Sequence, residues 1–166
     1  HEISENDEII FHSNSTSFLC EFNLRLIEIF DKSSNYGFSL KDEAEAILDF
    51  SIFPSLNQVK INFGNEQIFE LPKDFDFSAL HVLRVETDEF RVKISIDESL
   101  LFVEMIEKSA TQIAVFAKNS KAAISGFSLT EGFEDLFDWK DLEIKNHGWR
   151  KSSNETTFSI EDQELI

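Results

Sequence analysis

Apolar and polar residues alternate with a period of two along most of the chain. From Phe18 to Leu26 every second side chain is apolar, and charged or polar side chains fill most of the positions between them. A period of two is typical of a strand with one buried face, so this segment is predicted to be a strand. The apolar parity then shifts to Ile27 and Ile29, which predicts a β-bulge or a second covered face.

The same alternation recurs at short intervals up to residue 130, with turn residues between the runs. It predicts strands at 36–40, 47–53, 58–63, 66–71, 80–86, 90–97, 100–105, 112–117 and 122–130. Only residues 41–49 have a helix-forming composition, and there we predict a loop that leads into a strand, with a short helix as the alternative. Many short strands with little helical periodicity favour an antiparallel sandwich or barrel.

Composition fits one domain with a large aromatic core. The chain has 166 residues, 42% of them hydrophobic, which is enough for one sizeable core. Its 18 Phe, against two Trp and one Tyr, supply large apolar rings that favour packed sheets. We therefore predict an all-β, two-sheet β-sandwich with a core that includes Phe22, Leu24, Val85, Ile94, Ile96, Phe116 and Phe127.

The charge of the chain excludes some partners. A formal net charge of −17 without a basic patch argues against nucleic acid, and it disfavours anionic membrane surfaces. No apolar stretch approaches the roughly 18 residues of a membrane span. Neutral or cationic ligands, calcium and basic partner surfaces stay open, and so does the simpler view that the charge only keeps the protein soluble.

The single cysteine, Cys20, rules out an intrachain disulfide. It lies between Phe18 and Phe22, where a buried, inert thiol is expected. The cysteine content therefore does not identify the compartment. We expect a soluble protein that is extracellular, at the cell surface or cytoplasmic, depending on the parent protein to which it belongs.

Two central blocks carry a family resemblance: LRVETDEFRVKISIDESLLFVEM (83–105) and IAVFAKNSKAAISGFSLTEGFEDLFD (113–138). They resemble the concanavalin A-like (jelly-roll) sandwich modules appended to bacterial glycoside hydrolases. In those modules a strand with a polar, ligand-facing side leads into an "xVDGxLL"-like turn, which residues 96–101 fill here with Glu98-Ser99 where Gly is usual. The resemblance implies a jelly-roll fold and a role beside a catalytic domain.

The tail carries a second resemblance. Residues 148–166, GWRKSSNETTFSIEDQELI, resemble the opening strand of such a module, and the first residues, HEISENDEIIFHSN, read like its continuation. A piece cut out of phase from tandem modules and a circular permutation both fit this order. A plain C-terminal strand and extension is the alternative.

We therefore expect a single sandwich domain over 1–166, in which 139–166 is a C-terminal segment that is either a displaced opening strand or the start of a further module. A displaced strand has to pair beside Ile9–Phe11 or Phe127–Thr130. Otherwise it completes a neighbouring copy and gives a strand-swapped oligomer.

Catalysis by the isolated chain is not expected. Glucanase relatives of this fold carry Glu-x-Asp-x-x-Glu on one strand, because glycoside hydrolysis needs two carboxylates across a cleft. Here Glu5-x-Asp7 is followed at the third position by Ile10, and Glu86-x-Asp88 by Arg91. The parent protein is still a candidate glycoside hydrolase.

Acidic turns offer candidate calcium ligands, although the chain lacks an EF-hand loop and we predict no obligatory cofactor. The candidates are Asp97, Glu98, Asp135 and Asp138. A solvated turn is the competing interpretation of each, and the Asp97-Glu98-Ser99 corner lies where two strands need one. His81 is expected to be an ordinary surface histidine on a polar face.

Sugar recognition uses an exposed aromatic ring together with amides and charged groups that hold the hydroxyls. The candidate rings are Tyr36, Trp139 and Trp149, each of which competes with a place in the core, and the polar candidates are Asn35, Asn62 and Arg84. The leading hypothesis is a non-catalytic carbohydrate-binding or structural accessory module of a larger glycan-active protein. A protein-interaction or adhesion domain that binds through a sheet edge is the first alternative, and a small glycan hydrolase is the second.

Overall fold

The computed structural model describes residues 1–4, 6–43, 45–132, 160–161 and 164–165. Its strands, in chain order, are β1 (Glu2–Ile3), β2 (Glu8–His12), β3 (Ser17–Ile29), β4 (Asn35–Asp42), β5 (Glu45–Phe53), β6 (Gln58–Asn62), β7 (Glu66–Glu70), β8 (His81–Asp88), β9 (Arg91–Ile96), β10 (Ser99–Met105), β11 (Gln112–Lys118), β12 (Ser120–Glu131), β13 (Ile160–Glu161) and β14 (Glu164–Leu165). A single 3-10 turn, Pro54–Leu56, joins β5 to β6. Among the described residues, no helix is long and apolar enough to cross a membrane.

Two six-stranded antiparallel sheets form the sandwich. Sheet A has the order β1-β12-β3-β8-β9-β10, and sheet B has the order β2-β11-β4-β5-β6-β7. The strands β13 and β14 pair only with each other among the described residues. The predicted all-β, two-sheet sandwich is confirmed, and the predicted strand positions agree with the observed ones to within a few residues, apart from the segment 41–49.

Phenylalanine rings fill the space between the sheets. Phe22 of sheet A meets Phe38 of sheet B edge to face at 6.0 Å, and Phe38 stacks on Phe50 at 4.9 Å. All three side chains are fully buried. Burial of one such side chain stabilises the fold by about 1.5–3 kcal/mol. These rings come from the apolar positions of the alternating pattern, and their contacts join the two sheets.

Most of the predicted core residues lie in this core, and one does not. Phe22, Leu24, Val85, Ile94 and Ile96 are buried in it, and Phe127 packs against it with partial exposure.

The prediction for Phe116 is correct in its burial, at 4% exposed, and wrong in the face of the sheet to which the ring belongs. The neighbours of Phe116 on β11, Val115 and Ala117, belong to the core cluster and Phe116 does not, so its ring lies on the outer face of sheet B. The run IAVFA is apolar at every position, and alternation cannot assign a face to such a run.

The shift in parity after Leu26 is a β-bulge, as predicted. Leu26 pairs with Ala122 and Glu28 pairs with Lys121, which leaves Ile27 as the extra residue of β3. Beyond the bulge Ile27 is 38% exposed.

The strand predicted to follow the loop is present and begins at Glu45, whereas β4 and β5 replace most of the predicted loop and the alternative helix is not formed. The strand β4 continues to Asp42 and β5 begins at Glu45, with Glu43 at a φ of 51° in the turn between them. Lys41 pairs with Ala46 in the ladder. Pairing with a neighbouring strand and burial of Leu48 outweigh the helix propensity of this segment.

The single cysteine is buried, as expected. Cys20 is fully buried in the core, and burial raises the pKa of its thiol to about 12. A thiolate is therefore disfavoured at neutral pH, and the side chain serves as a small apolar group.

The C-terminal segment lies almost entirely outside the described residues. The prediction that 139–166 contains a displaced opening strand stays a prediction, as does the strand-swapped oligomer.

Candidate functional site

The outer face of sheet B is a polar surface opposite the packed core. Alternation along β4 turns Tyr36, Phe38 and Leu40 inward. The intervening side chains therefore point away from the core. The same holds for β5 and β6, where Phe50 and Ile61 are core residues. We call the resulting surface the polar face, and it consists of Asn35, Ser39, Asp49, Ser51, Phe53, Gln58, Lys60, Asn62 and Phe116.

The pairing register arranges the polar face in rows that cross the strands. Phe116 of β11 lies beside Gly37 of β4, which lies beside Ser51 of β5 and then Lys60 of β6. Directly opposed side chains on one face of an antiparallel sheet lie about 5 Å apart. Residues distant in sequence thereby form one continuous surface.

The adjacent row is more polar. Ala114 pairs with Ser39, Ser39 with Asp49, and Asp49 with Asn62. The hydroxyl of Ser39 donates a hydrogen bond to Oδ1 of Asp49. This bond holds the carboxylate in place across two strands.

Gly37 lies in the middle of the polar face and is buried. A Cβ atom at this position would lie 2.0 Å from the carbonyl oxygen of Phe50, so no side chain fits there. Gly37 is paired with Phe116 on one side and with Ser51 on the other. The close approach of β4 and β5 at this point therefore depends on the absence of a side chain at Gly37.

A pocket of about 350 Å³ opens on the polar face beside β11. Its lining includes Ser39, Lys41, Asp49, Phe116 and Lys118. The volume lies at the small end of the range of ligand sites, about 300–1,000 Å³. Hydroxyl, carboxylate, ammonium and aromatic groups therefore converge on one small cavity.

Two lysines lie over the two rings of the polar face. Nζ of Lys118 is 4.7 Å from the ring centroid of Phe116, and Nζ of Lys60 is 5.1 Å from that of Phe53. Both distances are within the range of a cation–π interaction, about 6 Å. The ammonium groups are thereby placed where they can donate to a ligand that lies on the sheet.

Two predicted ligand residues lie on the polar face. Asn62 is exposed, and its Oδ1 accepts a hydrogen bond from the amide of Gly64 at 3.4 Å. Asn35 is half-buried, and its Nδ2 donates to the carbonyl oxygen of Ser33 at 3.0 Å.

Arg84 lies on the other sheet. It is on the outer face of sheet A, where its Nε donates to Oε1 of Glu86 at 2.7 Å. Lys93 also approaches Glu86, with Nζ 3.7 Å from Oε2. The structure therefore separates Arg84 from Asn35 and Asn62 by the whole core.

Tyr36 is not available as a sugar platform. The residue is 1% exposed and lies in the core, which was the competing interpretation of this candidate ring. Its hydroxyl finds no hydrogen-bond partner among the described residues, and burial raises the pKa of the phenol. Trp139 and Trp149 lie outside the described residues.

The Asp97-Glu98 corner is a tight turn. Both residues have positive φ, 48° and 67°, between the paired residues Ile96 and Ser99. Positive φ at both central residues is the signature of a type I′ hairpin turn, which tolerates Asp well and Glu less well. Oδ1 of Asp97 accepts from the amide of Val82 at 2.8 Å.

Metal ligands do not converge at this corner. Across the described residues, no group of three or more His, Cys, Asp or Glu side chains is placed to hold a metal ion. Asp135 and Asp138 lie outside the described residues, so a calcium site there stays a prediction.

Asp97 contacts His81, and this contact was not predicted from the sequence. His81 is 9% exposed and not on the surface as predicted. Its Nδ1 lies 2.6 Å from Oδ2 of Asp97, its Nε2 lies 2.7 Å from the carbonyl oxygen of Asp76, and its ring stacks on Phe75 at 4.0 Å. No local signal predicts this burial, since His81 lies at the very start of its strand.

No protein-family model matches the chain, and no curated protein matches it. Similar folds occur among solved structures. A fructosyltransferase from A. japonicus matches with a TM-score of 0.65 at 14% identity, over 81% of this chain and 25% of that one. Sheep galectin-11 matches with a TM-score of 0.59 at 11% identity, over 76% of this chain and 100% of that one. The carbohydrate-binding module CBM66 from Bacillus subtilis matches with a TM-score of 0.55 at 12% identity, over 78% and 86%.

The fold is a concanavalin A-like jelly roll. At such low identity these likenesses establish the fold alone. The chain spans about a quarter of the length of the fructosyltransferase. The jelly-roll resemblance read from residues 83–105 and 113–138 is confirmed.

Proposed function

We propose that the chain is a non-catalytic carbohydrate-binding module of a larger glycan-active protein, and that the polar face is its binding surface. The observation that carries the proposal is the pocket of about 350 Å³ on this face, where hydroxyl, carboxylate and ammonium groups line one cavity. Most of these groups lie on paired strands of sheet B, so the hydrogen-bonded strands fix the positions of the side chains.

Each group on the polar face has a role in such binding. The partly exposed Phe53 ring, and the small accessible part of the Phe116 ring that lines the pocket, offer apolar surface to a pyranose or furanose. Ser51, Asn62 and Lys60 lie within one or two strands of these rings and can exchange hydrogen bonds with sugar hydroxyls. A mixture of donors and acceptors suits a ligand that is rich in hydroxyls.

The names of the structural neighbours agree with this proposal. One neighbour is a galectin, one is a carbohydrate-binding module, and another is an alginate lyase. All three are glycan-binding or glycan-active proteins that contain a jelly roll. Linkage of this chain to a catalytic domain is part of the proposal and follows from the resemblance to appended modules.

A glycan array with matched variants tests the proposal. Lys60→Ala and Asn62→Ala each remove one ligand-facing group, and Lys73→Ala removes an exposed lysine from a loop outside the polar face. We expect reproducible binding of at least one saccharide, weakened about tenfold or more by either face variant and unchanged by Lys73→Ala. The absence of any saccharide binding, or binding that ignores both face variants, contradicts the proposal.

Protein binding through a sheet edge is the competing function, and one observation bears on it. The strand β7 is an edge of sheet B, and its Ile68 is 51% exposed. However, Glu66 and Glu70 flank Ile68 on the same face, and charged residues are a common protection against edge pairing. The edge is therefore a weaker candidate than the polar face.

Turnover of a polysaccharide by the purified chain would favour the hydrolase alternative.

A further inference from the structure

The pocket beside β11 is lined by more negative than positive side chains. Asp7, Glu8 and Asp49 contribute carboxylates, whereas Lys41 and Lys118 contribute ammonium groups. Three negative charges against two positive charges leave the lining with a net negative charge. The whole chain has a formal net charge of −17, so the surroundings of the pocket add to this negative field. The pocket therefore favours a neutral or cationic ligand over an anionic one.

Both lysines of the pocket already have contacts within the protein. Nζ of Lys41 is 2.9 Å from Oε2 of Glu8 and 3.0 Å from Oε1, so this ammonium group is paired with a carboxylate. Nζ of Lys118 lies 4.7 Å from the ring centroid of Phe116. Among the described residues, the two carboxylates of the pocket that no lysine pairs with are therefore those of Asp7 and Asp49.

Asp49 is the better placed of these two carboxylates. Asp7 is exposed in the turn before β2, where its Oδ2 accepts a hydrogen bond from the hydroxyl of Ser4 at 2.9 Å. Asp49 is half-buried, and its Oδ1 accepts from the hydroxyl of Ser39, a residue that is 6% exposed. The strand β5 pairs with β4 on one side and with β6 on the other, which holds Asp49 in register. The position of this carboxylate is therefore set before a ligand arrives.

The second oxygen of Asp49 is accessible and has no partner in the part of the chain that the structure describes. Its Oδ2 accepts no hydrogen bond there, and none of the ion pairs there includes Asp49. This atom is also not one of the buried side-chain oxygens without a partner, so a ligand can reach it. A carboxylate oxygen forms hydrogen bonds with a cationic N–H donor that are roughly twice as strong as those with a neutral donor. An ammonium group is therefore the ligand group that this oxygen binds best.

We propose that the pocket beside β11 binds a glycan with free amino groups, and that Oδ2 of Asp49 accepts a hydrogen bond from the ammonium group of one sugar residue. This inference rests on the proposed function and narrows its ligand to a cationic amino sugar, of the kind found in chitosan. The ammonium group of Lys118 can donate to a hydroxyl group of the same sugar. N-acetylation of the sugar removes its positive charge, and a uronic acid brings a negative charge, so both changes weaken the attraction to Asp49.

A set of oligosaccharides of equal length tests the inference by isothermal titration calorimetry, at a mildly acidic pH at which the amino groups are protonated. The probes are glucosamine oligosaccharides, their N-acetylated forms, neutral gluco-oligosaccharides and alginate oligomers. We expect the glucosamine oligosaccharide to bind about tenfold or more tightly than each of the others, with an affinity that falls as salt is added. Equal or tighter binding of any other probe overturns the inference and leaves the proposed function intact. The absence of binding to every probe overturns the inference, and the glycan array then decides the proposed function separately.

Two matched variants separate a specific contact from general attraction by the acidic surface. Asp49→Asn removes a charge from the pocket, and Asp74→Asn removes an equal charge from an exposed loop outside it. We expect Asp49→Asn to weaken binding of the glucosamine oligosaccharide about tenfold or more, and Asp74→Asn to leave it unchanged. Equal binding by Asp49→Asn and the wild type overturns the inference. If Asp49→Asn fails to fold, the side-chain carboxylate signal of Asp49 in the wild-type protein is followed by NMR during the titration: the inference requires it to shift, and an unchanged signal overturns it.

Discussion

Nδ1 of His81 lies 2.6 Å from Oδ2 of Asp97, and this contact fastens the turn between β9 and β10 to the start of β8. Asp97 has a second role in the same place, since its Oδ1 accepts from the amide of Val82. The other ring nitrogen of His81 holds the carbonyl oxygen of Asp76 in the loop that precedes β8. One buried imidazole therefore connects three segments at one end of the sandwich.

Asp97→Asn is predicted to lower the free energy of unfolding by about 1–2 kcal/mol. Asn adopts the positive φ of this turn as readily as Asp, so the backbone is retained while a charged acceptor is lost. Chemical denaturation in urea measures the change. Glu98→Asn, at the neighbouring turn position, is the control and should be neutral or stabilising. Equal stability of Asp97→Asn and the wild type would show that the contact with His81 contributes nothing.

Gly37→Ala is predicted to lower the free energy of unfolding by about 3 kcal/mol or more, because the new methyl group would meet the backbone of Phe50. Gly64→Ala is the matched control: Gly64 has a φ of 104°, but no atom lies within 4 Å of the position that a Cβ would take, so only backbone strain of about 1 kcal/mol is expected. Thermal melting of the two variants compares them directly. A Gly37→Ala protein as stable as Gly64→Ala contradicts the close approach of β4 and β5.

Alkaline pH is predicted to destabilise the fold through Cys20. Burial raises the pKa of its thiol from 9.0 to about 12, so the folded state holds this proton more tightly than the unfolded state. The stabilisation is complete below the unfolded pKa and is lost as the pH rises from about 9 towards 12. Denaturant melts at several alkaline pH values should show a shallower pH dependence for Cys20→Ala than for the wild type. Parallel pH profiles would contradict a buried thiol.

Deletion of residues 148–166 is predicted to cause aggregation or loss of cooperative unfolding. Among the described residues, β1 pairs only with Ala122 and Ala123 on its side of β12, and β12 continues to Glu131. If the deleted segment is the displaced opening strand, its removal leaves an unpaired edge. Thermal melting of residues 1–147 beside the full chain decides this point. A monomeric 1–147 protein that melts within a few degrees of the parent would show that the segment is an appendage.

The fold was predictable because one face of most strands is strictly apolar. The alternation from Phe18 to Leu26 defines both the strand β3 and the face that it buries, and the parity shift at Ile27 marks the bulge. The same reasoning could not assign a face to residues 113–117, because this run is apolar at every position. In residues 41–49 strand pairing outweighed local helix propensity, so the composition did not show that β4 and β5 extend into this segment.

The candidate site was predictable only in fragments. Asn35 and Asn62 were identified by residue type, but Ser39, Asp49 and Ser51 were not, since each is an ordinary polar residue between core positions. Their grouping depends on β11 pairing with β4, two strands that are far apart in the sequence. For Tyr36 a surface place and a core place both stayed open, because a ring next to a turn can face either side of a sheet, and only the register decides which.

Mapping of the bound saccharide by NMR tests the central claim most directly. The backbone amide signals of the protein are followed while a saccharide identified on the array is added. The account predicts shifts concentrated at Gly37, Ser51, Lys60 and Asn62 on the outer face of sheet B, with little change at Arg84 on sheet A. Shifts centred on sheet A or on the edge strand β7, with the signals around Gly37 unchanged, would contradict it.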